Sequence, residues 1–261
     1  MPVVAMEVLQ SMSGADTDID ALAKRIAQDQ AIAARVLRVA NSPFYGLQSR
    51  VGSIHDAIVV LGLSSVRSLV LAAAVITGLP GGRCPEFSQS RFWRHVLGVA
   101  AAARALARPL RRPPEPLFVA GLLHDIGRLA MMTIYPEELC GVLADAQTRD
   151  CTLVEAEFRH FGFDHSTVGA ELARRWNFPA EIIDALAWHH DPARGVPGGL
   201  AGIVHYADAI AHALDLDGAE TGQVPRLDAQ TVDALDLGWE ALNGVLTETR
   251  AGFDSFETLL G

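Results

Sequence analysis

Apolar positions along this chain recur at helical spacing almost throughout. Ile19, Leu22, Ala23, Ile26 and Ala27 form one face, with Asp16 and Asp18 ahead of them as N-cap candidates. After Asp29, residues Ile32, Val36, Leu37 and Val39 line one side of a second helix. The proline in Asn41-Ser42-Pro43 discourages its continuation. Ser53 suits the cap of a helix through Val60 that Gly62 closes, and Ser64 or Ser65 caps the next, to about Thr77. Residues 78–85, rich in Gly and Pro, make a connector. Further helices are predicted over about 88–106, carrying His95, and over about 115–135, with His124 and Asp125 as neighbours on one continuous helix. Pro136 opens a short helix, Thr152 starts one reaching His160, and Asp164 or His165 starts one ending near Trp176-Asn177. Pro179 suits the first position of the helix leading to His189. Residues 191–199 read as a loop and 200–214 as a helix bearing Asp208. The tail from 227 to 260 holds two or three more amphipathic turns. No alternating run suits a strand, and neither an internal repeat nor a heptad pattern is present. The fold class is therefore all-α, a helical bundle.

Composition narrows the partners. The chain has 261 residues, half of them hydrophobic, with a mean hydropathy of +0.22. That supplies a real core. A net charge of −10 gives no overall field to attract nucleic acid or an anionic membrane surface. The densest basic patch, Arg104, Arg108, Arg111 and Arg112, reads as a solvated helix end. Cys84, Cys140 and Cys151 are widely spaced and odd in number, which fits a reducing compartment and argues against a disulfide. No signal peptide is visible, and the longest apolar run, 69–79, is too short for a bilayer. These features predict a cytoplasmic protein.

The candidate chemistry lies in Gly121-Leu-Leu-His-Asp-Ile-Gly127. A His-Asp doublet in an apolar helix is costly unless both groups are compensated. His95 precedes it, and His165, His189, His190 and Asp208 follow. Imidazoles and carboxylates together suit a divalent transition metal. Arg128, one turn beyond His124, suits a phosphate oxygen, and Gly127 leaves room for another helix. His55-Asp56 is a control within the same chain: without the apolar flank it reads as a solvated first helical turn. His205 and His212 flank Asp208 at helical spacing and carry little weight as ligands.

Taken together, these residues resemble the HD superfamily of metal-dependent phosphohydrolases, and more closely the HDOD family of HD-related output domains in bacterial signalling. The N-terminal half carries Gln28-Asp29-Gln30, Arg35-Val-Leu-Arg-Val-Ala-Asn41-Ser-Pro-Phe-Tyr-Gly46 and Leu61-Gly62-Leu63. The other half carries Leu122-Leu-His-Asp-Ile-Gly127, His165-Ser-Thr-Val-Gly-Ala-Glu-Leu172, Trp176-Asn-Phe-Pro179 and His189-His190. The resemblance implies one HDOD domain over 1–261, with an N-terminal helical lobe (1–80) packed on an HD-like lobe (86–215) and a C-terminal helical tail (216–261). It implies one metal held by His95, His124, Asp125 and Asp208. Asp125 would bridge to a second held by His165, His189 and His190. Iron or manganese fits this set, and Asp125 and Arg128 would carry any catalysis. Arg128 stands where the HD-GYP group has Lys, and the loop from His190 to Pro197 lacks Gly-Tyr-Pro, so that group's activity is not carried over. The resemblance implies a regulatory module acting through a signalling protein partner or a nucleotide or phosphodiester ligand, with a homodimer compatible. A metal-dependent phosphohydrolase is the alternative.

Overall fold

The computed structural model describes Val8 and residues 18–47, 50–78, 84–218 and 224–260, and every regular element among them is a helix. The N-terminal helices are α1 (Ile19–Gln28), α2 (Gln30–Ala40), α3 (Ile54–Leu61) and α4 (Leu63–Gly78). The middle of the chain forms α5 (Gln89–Leu106), α6 (Pro114–Leu123), α7 (Ile126–Ile134), α8 (Pro136–Arg149) and α9 (Leu153–Phe161). Next come α10 (His165–Arg175), α11 (Ala180–Trp188), α12 (Leu200–Ala213), α13 (Ala229–Leu235) and α14 (Trp239–Phe256), with 3-10 turns at Pro43–Tyr45, Pro192–Arg194 and Glu257–Leu260. Asp18, Ser53, Thr152 and Asp164 each accept the backbone N–H three residues on, as N-caps do. Asp16 lies outside the described residues.

α5 is the axis. It is buried from Val96 to Leu106 except at Arg104, because small and apolar residues occupy all its faces, and α6, α12 and α14 pack around it. Gly121 permits the close pass of α6: a Cβ there would stand 2.9 Å from the Ala100 Cα. α4 lies against α6, so a continuous apolar core runs from Ile26 and Val36 through α5 to Phe256. The chain end returns to the first helices, where Arg35 donates to the Leu259 carbonyl and Arg38 to the Thr258 carbonyl. The Asn41 amide clasps the next loop, donating to the Leu37 and Val51 carbonyls (2.8 and 2.9 Å) and accepting from Val51 N–H (2.8 Å).

The structure departs from the sequence reading in five places. α4 begins at Leu63, so Ser64 and Ser65 lie inside it rather than capping it, and the Ser65 hydroxyl donates to Glu115 instead. The predicted helix over 115–135 is two helices, with His124 and Asp125 at the break. Asp125 sits at φ −99°, ψ 12°, a bridge conformation that lets the chain bend onto α10. The 114–134 stretch is long and apolar enough to cross a bilayer, yet most of it is buried inside the protein. Pro136 opens a helix of 14 residues rather than a short one, and the tail contains the 18-residue α14. Cys84 and Cys140 form a disulfide, because the segment before α5 lies against α8 with their Cα atoms 5.7 Å apart, so the expectation of free cysteines fails for this pair. His55-Asp56 is the surface turn expected, with Asp56 accepting from Ser53 and an exposed His55 beside Asp20.

Candidate metal centre

Five helix ends and faces converge beside the break. α5 brings His95, the α6–α7 break brings His124 and Asp125, and the start of α10 brings His165. The end of α11 brings His189 and His190, and α12 brings Asp208. Gly127 makes the approach of α10 possible, since its Cα lies against the His165 backbone.

Three overlapping groups result, in each of which the donor atoms lie within 4.8 Å of one another. Asp125, His165, His189 and His190 form the first; His95, His124 and Asp125 the second; His95, Asp208 and His212 the third. Asp125 Oδ1 stands 3.0 Å from His165 Nε2 and 3.7 Å from His189 Nε2, while Oδ2 is 3.7 Å from His124 Nε2. His190 Nε2 lies 2.9 Å from His165 Nε2. Asp208 approaches His95 (3.2 Å) and His212 (3.5 Å). His212, given little weight in the sequence, is thus at the edge of the site. His205 is not: its Nδ1 donates to the His189 carbonyl and its Nε2 accepts from Asp228 N–H, so both ring nitrogens are occupied.

Second partners set the tautomers. His124 Nδ1 donates to the Gly121 carbonyl at 2.7 Å, and His189 Nδ1 to the Leu186 carbonyl at 3.0 Å. His165 Nδ1 is held by Glu157 Oε2 at 2.6 Å. Each contact turns an Nε2 toward the shared carboxylate, which is how metal-ligating histidines are oriented. Glu157 went unrecognised in the sequence. It is fully buried on α9 and also accepts the His165 backbone N–H at 2.9 Å. A signal existed: Glu157 falls four residues after Leu153 and four before Phe161, on their apolar stripe.

The electrostatics leave room for a cation. Three buried carboxylates, Asp125, Glu157 and Asp208, face one guanidinium, Arg128, leaving two negative charges when the imidazoles are neutral. Such groups are costly to bury without compensation. His189 Nε2 and Asp208 Oδ1 are buried without a hydrogen-bond partner. Burial pushes the His124 imidazole down to about 4. Although His190 is exposed as a residue, the desolvation of its ring within the cluster and the neighbouring His189 and His165 hold it well below its ordinary value, so both present lone pairs at neutral pH. Against burial, Glu157 and Asp125 push His165 up to about 10. Despite burial, His124, Arg128 and His165 hold Asp125 well below the usual carboxylate range. In the metal-free protein a protonated His165 links Glu157 to Asp125 and offsets part of the buried negative charge. The orphaned atoms and the nitrogen-oxygen donor set both fit a divalent ion. Glu157→Gln is expected to weaken metal binding about 10- to 100-fold while the fold persists, checked by titration against a competing chelator.

Arg128 Nη1 donates to Asp125 Oδ2 at 2.7 Å, and its guanidinium lies 5.8 Å from the Phe92 ring centroid. Of the seven residues read as ligands, only His190 is exposed.

The chain is similar along its full length to a solved structure from Shewanella amazonensis, a protein named as a candidate phosphohydrolase. It covers 94% of that chain at 27% identity, with a TM-score of 0.80. A Treponema pallidum protein of uncharacterized role is 23% identical over 193 residues, and the match covers 73% of this chain and 37% of that protein. Ribonuclease Y of Deinococcus radiodurans is 33% identical over 113 residues, 36% of this chain and 20% of that enzyme. The chain therefore spans well under half the length of these two relatives. The HDOD domain model matches residues 1–192. With its all-helical fold and the residues converging at His124-Asp125, the chain belongs to the HDOD family.

Proposed function

We propose that the chain is a regulatory module of signal transduction, whose HD-type centre binds divalent metal and whose output is contact with a protein partner or a small ligand. His95, His124, Asp125 and Asp208 would hold one ion, and Asp125 with His165, His189 and His190 a second. Iron and manganese suit these donors. When bound, such ions would offset the charge of the buried carboxylates and tie together α5, the α6–α7 break, α10, α11 and α12.

The observation that carries this reading is closure. His190 is the one exposed residue among the seven, and His124, Asp125, His165 and His189 are each at most 3% exposed. Arg128 is engaged by Asp125. Closed donor sets suit ions that hold a fold, whereas catalytic sites keep an open position. The second reading is a phosphohydrolase. The donor set favours it, as does the candidate activity named for the Shewanella relative. In that version His190 and the part-exposed Arg128 would meet the phosphate ester.

Metal analysis of protein purified without added metal, then loaded with manganese or iron, tests both readings. The expected result is about one equivalent or more of metal and no turnover of phosphodiesters or nucleotides beyond that of His124→Ala. Metal content below about a tenth of an equivalent after loading would remove the metal centre. Turnover abolished by His124→Ala would replace the regulatory reading with the enzymatic one.

A further inference from the structure

A second charged cleft opens away from the metal centre, where three parts of the chain meet. Phe44 and Tyr45 come from the 3-10 turn after α2, Arg104 and Arg108 from the end of α5 and the turn beyond it, Arg112 from that same turn, and Glu248 from α14. The cleft is an open groove of about 410 Å³, large enough for a small ligand. Arg104 and His95 share α5 nine positions apart, which separates cleft and metal centre by about 14 Å of helix axis.

The sequence suggested a solvated helix end for these arginines, and Arg108 and Arg111 are indeed exposed, while Arg112 is half-buried. The last carbonyls of α5 and its turn are already met by backbone donors: Ala107 N–H bonds Arg104, Leu110 N–H bonds Leu106, and Arg112 N–H bonds Ala107. The guanidinium groups are not needed as caps. Arg111 takes a left-handed φ of 53°, and this reversal brings Arg112 back beside the cleft that Arg108 lines. Arg104 is committed, 3.9 Å from Glu115 and over the rings of Phe44 and Tyr45. Arg108 and Arg112 have no carboxylate within 4.0 Å among the described residues. The Tyr45 hydroxyl is buried without a hydrogen-bond partner. Burial pushes its phenol up, so it stays a protonated donor. Two guanidinium groups without a carboxylate partner thus border one open groove, beside a buried tyrosine hydroxyl, and such a pair suits a ligand carrying negative charge. Glu248, the one acidic group lining this cleft, demands a donor.

We propose that this seam binds a small phosphate monoester, its phosphoryl group on Arg108 and Arg112 and a ligand hydroxyl on Glu248. Arginine suits phosphoryl oxygens because its planar fork can bond two of them at once. Since the cleft joins the Phe44-Tyr45 turn to α5 and α14, its occupant would bear on how these segments pack. The site goes beyond the metal-centre reading and does not depend on it.

Calorimetric titration of the full chain with inorganic phosphate and with ribose 5-phosphate, at constant ionic strength, tests this. Saturable binding of both is expected, tighter for the sugar phosphate, and weakened about tenfold or more in Arg108→Ala/Arg112→Ala. The double variant Arg174→Ala/Arg175→Ala, with the same charge change on exposed α10, should bind as the parent does. Glu248→Ala should erase the preference for ribose 5-phosphate, and a preference that persists would refute the role of Glu248. Absence of saturation up to about 50 mM, or equal losses in the two double variants, would overturn the site. Loss in His124→Ala with retention in Arg108→Ala/Arg112→Ala would also overturn it, by moving the anion to the metal centre.

Discussion

Replacing Asp125 by alanine is expected to abolish metal loading and to destabilise the metal-free protein by about 3 kcal/mol. The carboxylate faces three imidazoles and accepts from Arg128 at 2.7 Å. Deleting it leaves a guanidinium, three-quarters buried, without its partner, and that loss exceeds the ordinary worth of an exposed ion pair. Urea unfolding of chelator-treated protein measures the loss, and metal analysis reads the loading. Asp125→Ala that retains both metal and parental stability would refute the assignment of this residue as the hub. A pH dependence accompanies the prediction. His165 is raised from 6.5 to about 10 in the folded metal-free protein. Its stabilising contribution is therefore complete below about 6.5 and is lost as pH rises through about 10. Asp125 acts oppositely: its folded value is depressed, so its contribution is present above the ordinary carboxylate value and is lost on acidification. The variant should lose the acid slope and keep a weakened His165 slope, since Glu157 as well as Asp125 raises His165.

The Gly127→Ala variant should lose about 3 kcal/mol and the metal together. An added Cβ would stand 1.9 Å from the His165 carbonyl oxygen and 2.7 Å from the Gly169 backbone nitrogen. Both obstacles are main chain, so no rotamer change relieves them, and α10 must move away from α7. His165 starts α10 and moves with it. Gly141→Ala is the control: α8 leaves open space around that glycine, and the change should be neutral or stabilising by up to about 1 kcal/mol. Thermal unfolding of the two variants separates the outcomes. A Gly127→Ala protein as stable as Gly141→Ala would mean that α7 and α10 do not meet as described.

The parts of the molecule that local patterns could reach are those where one face of one helix decides the outcome. The amphipathic stripe of α1, the Ser53 cap and the Gly62 stop depend on residues within a turn or two of each other. Gly127 was also readable as a place of close approach, because only the smallest residue follows an apolar His-Asp pair there. The helix break was not readable. Leu122 to Leu129 contains one weak helix former, Gly127, which alone does not mark a break two residues earlier, and the Asp125 carboxylate at the break meets groups on α10 and α11 that are distant in sequence. The Cys84–Cys140 disulfide depends on a segment 56 positions away laying itself on α8. Glu157 was hidden for a related reason. A glutamate on a surface-like helix is ordinary until folding buries it against the ring and backbone N–H of His165.

From its sequence alone, this protein is determined to be all-helical, to carry the HDOD motifs, and to hold seven histidines and aspartates of metal-ligating type. Those properties follow from periodicity and residue identity, which are local. Which ring nitrogens are free, which carboxylate is shared and which face is open were decided only by the tertiary structure. Tautomers are chosen by hydrogen bonds such as that from His165 to Glu157, and charges by burial among neighbours from several helices. Neither exists until those helices pack.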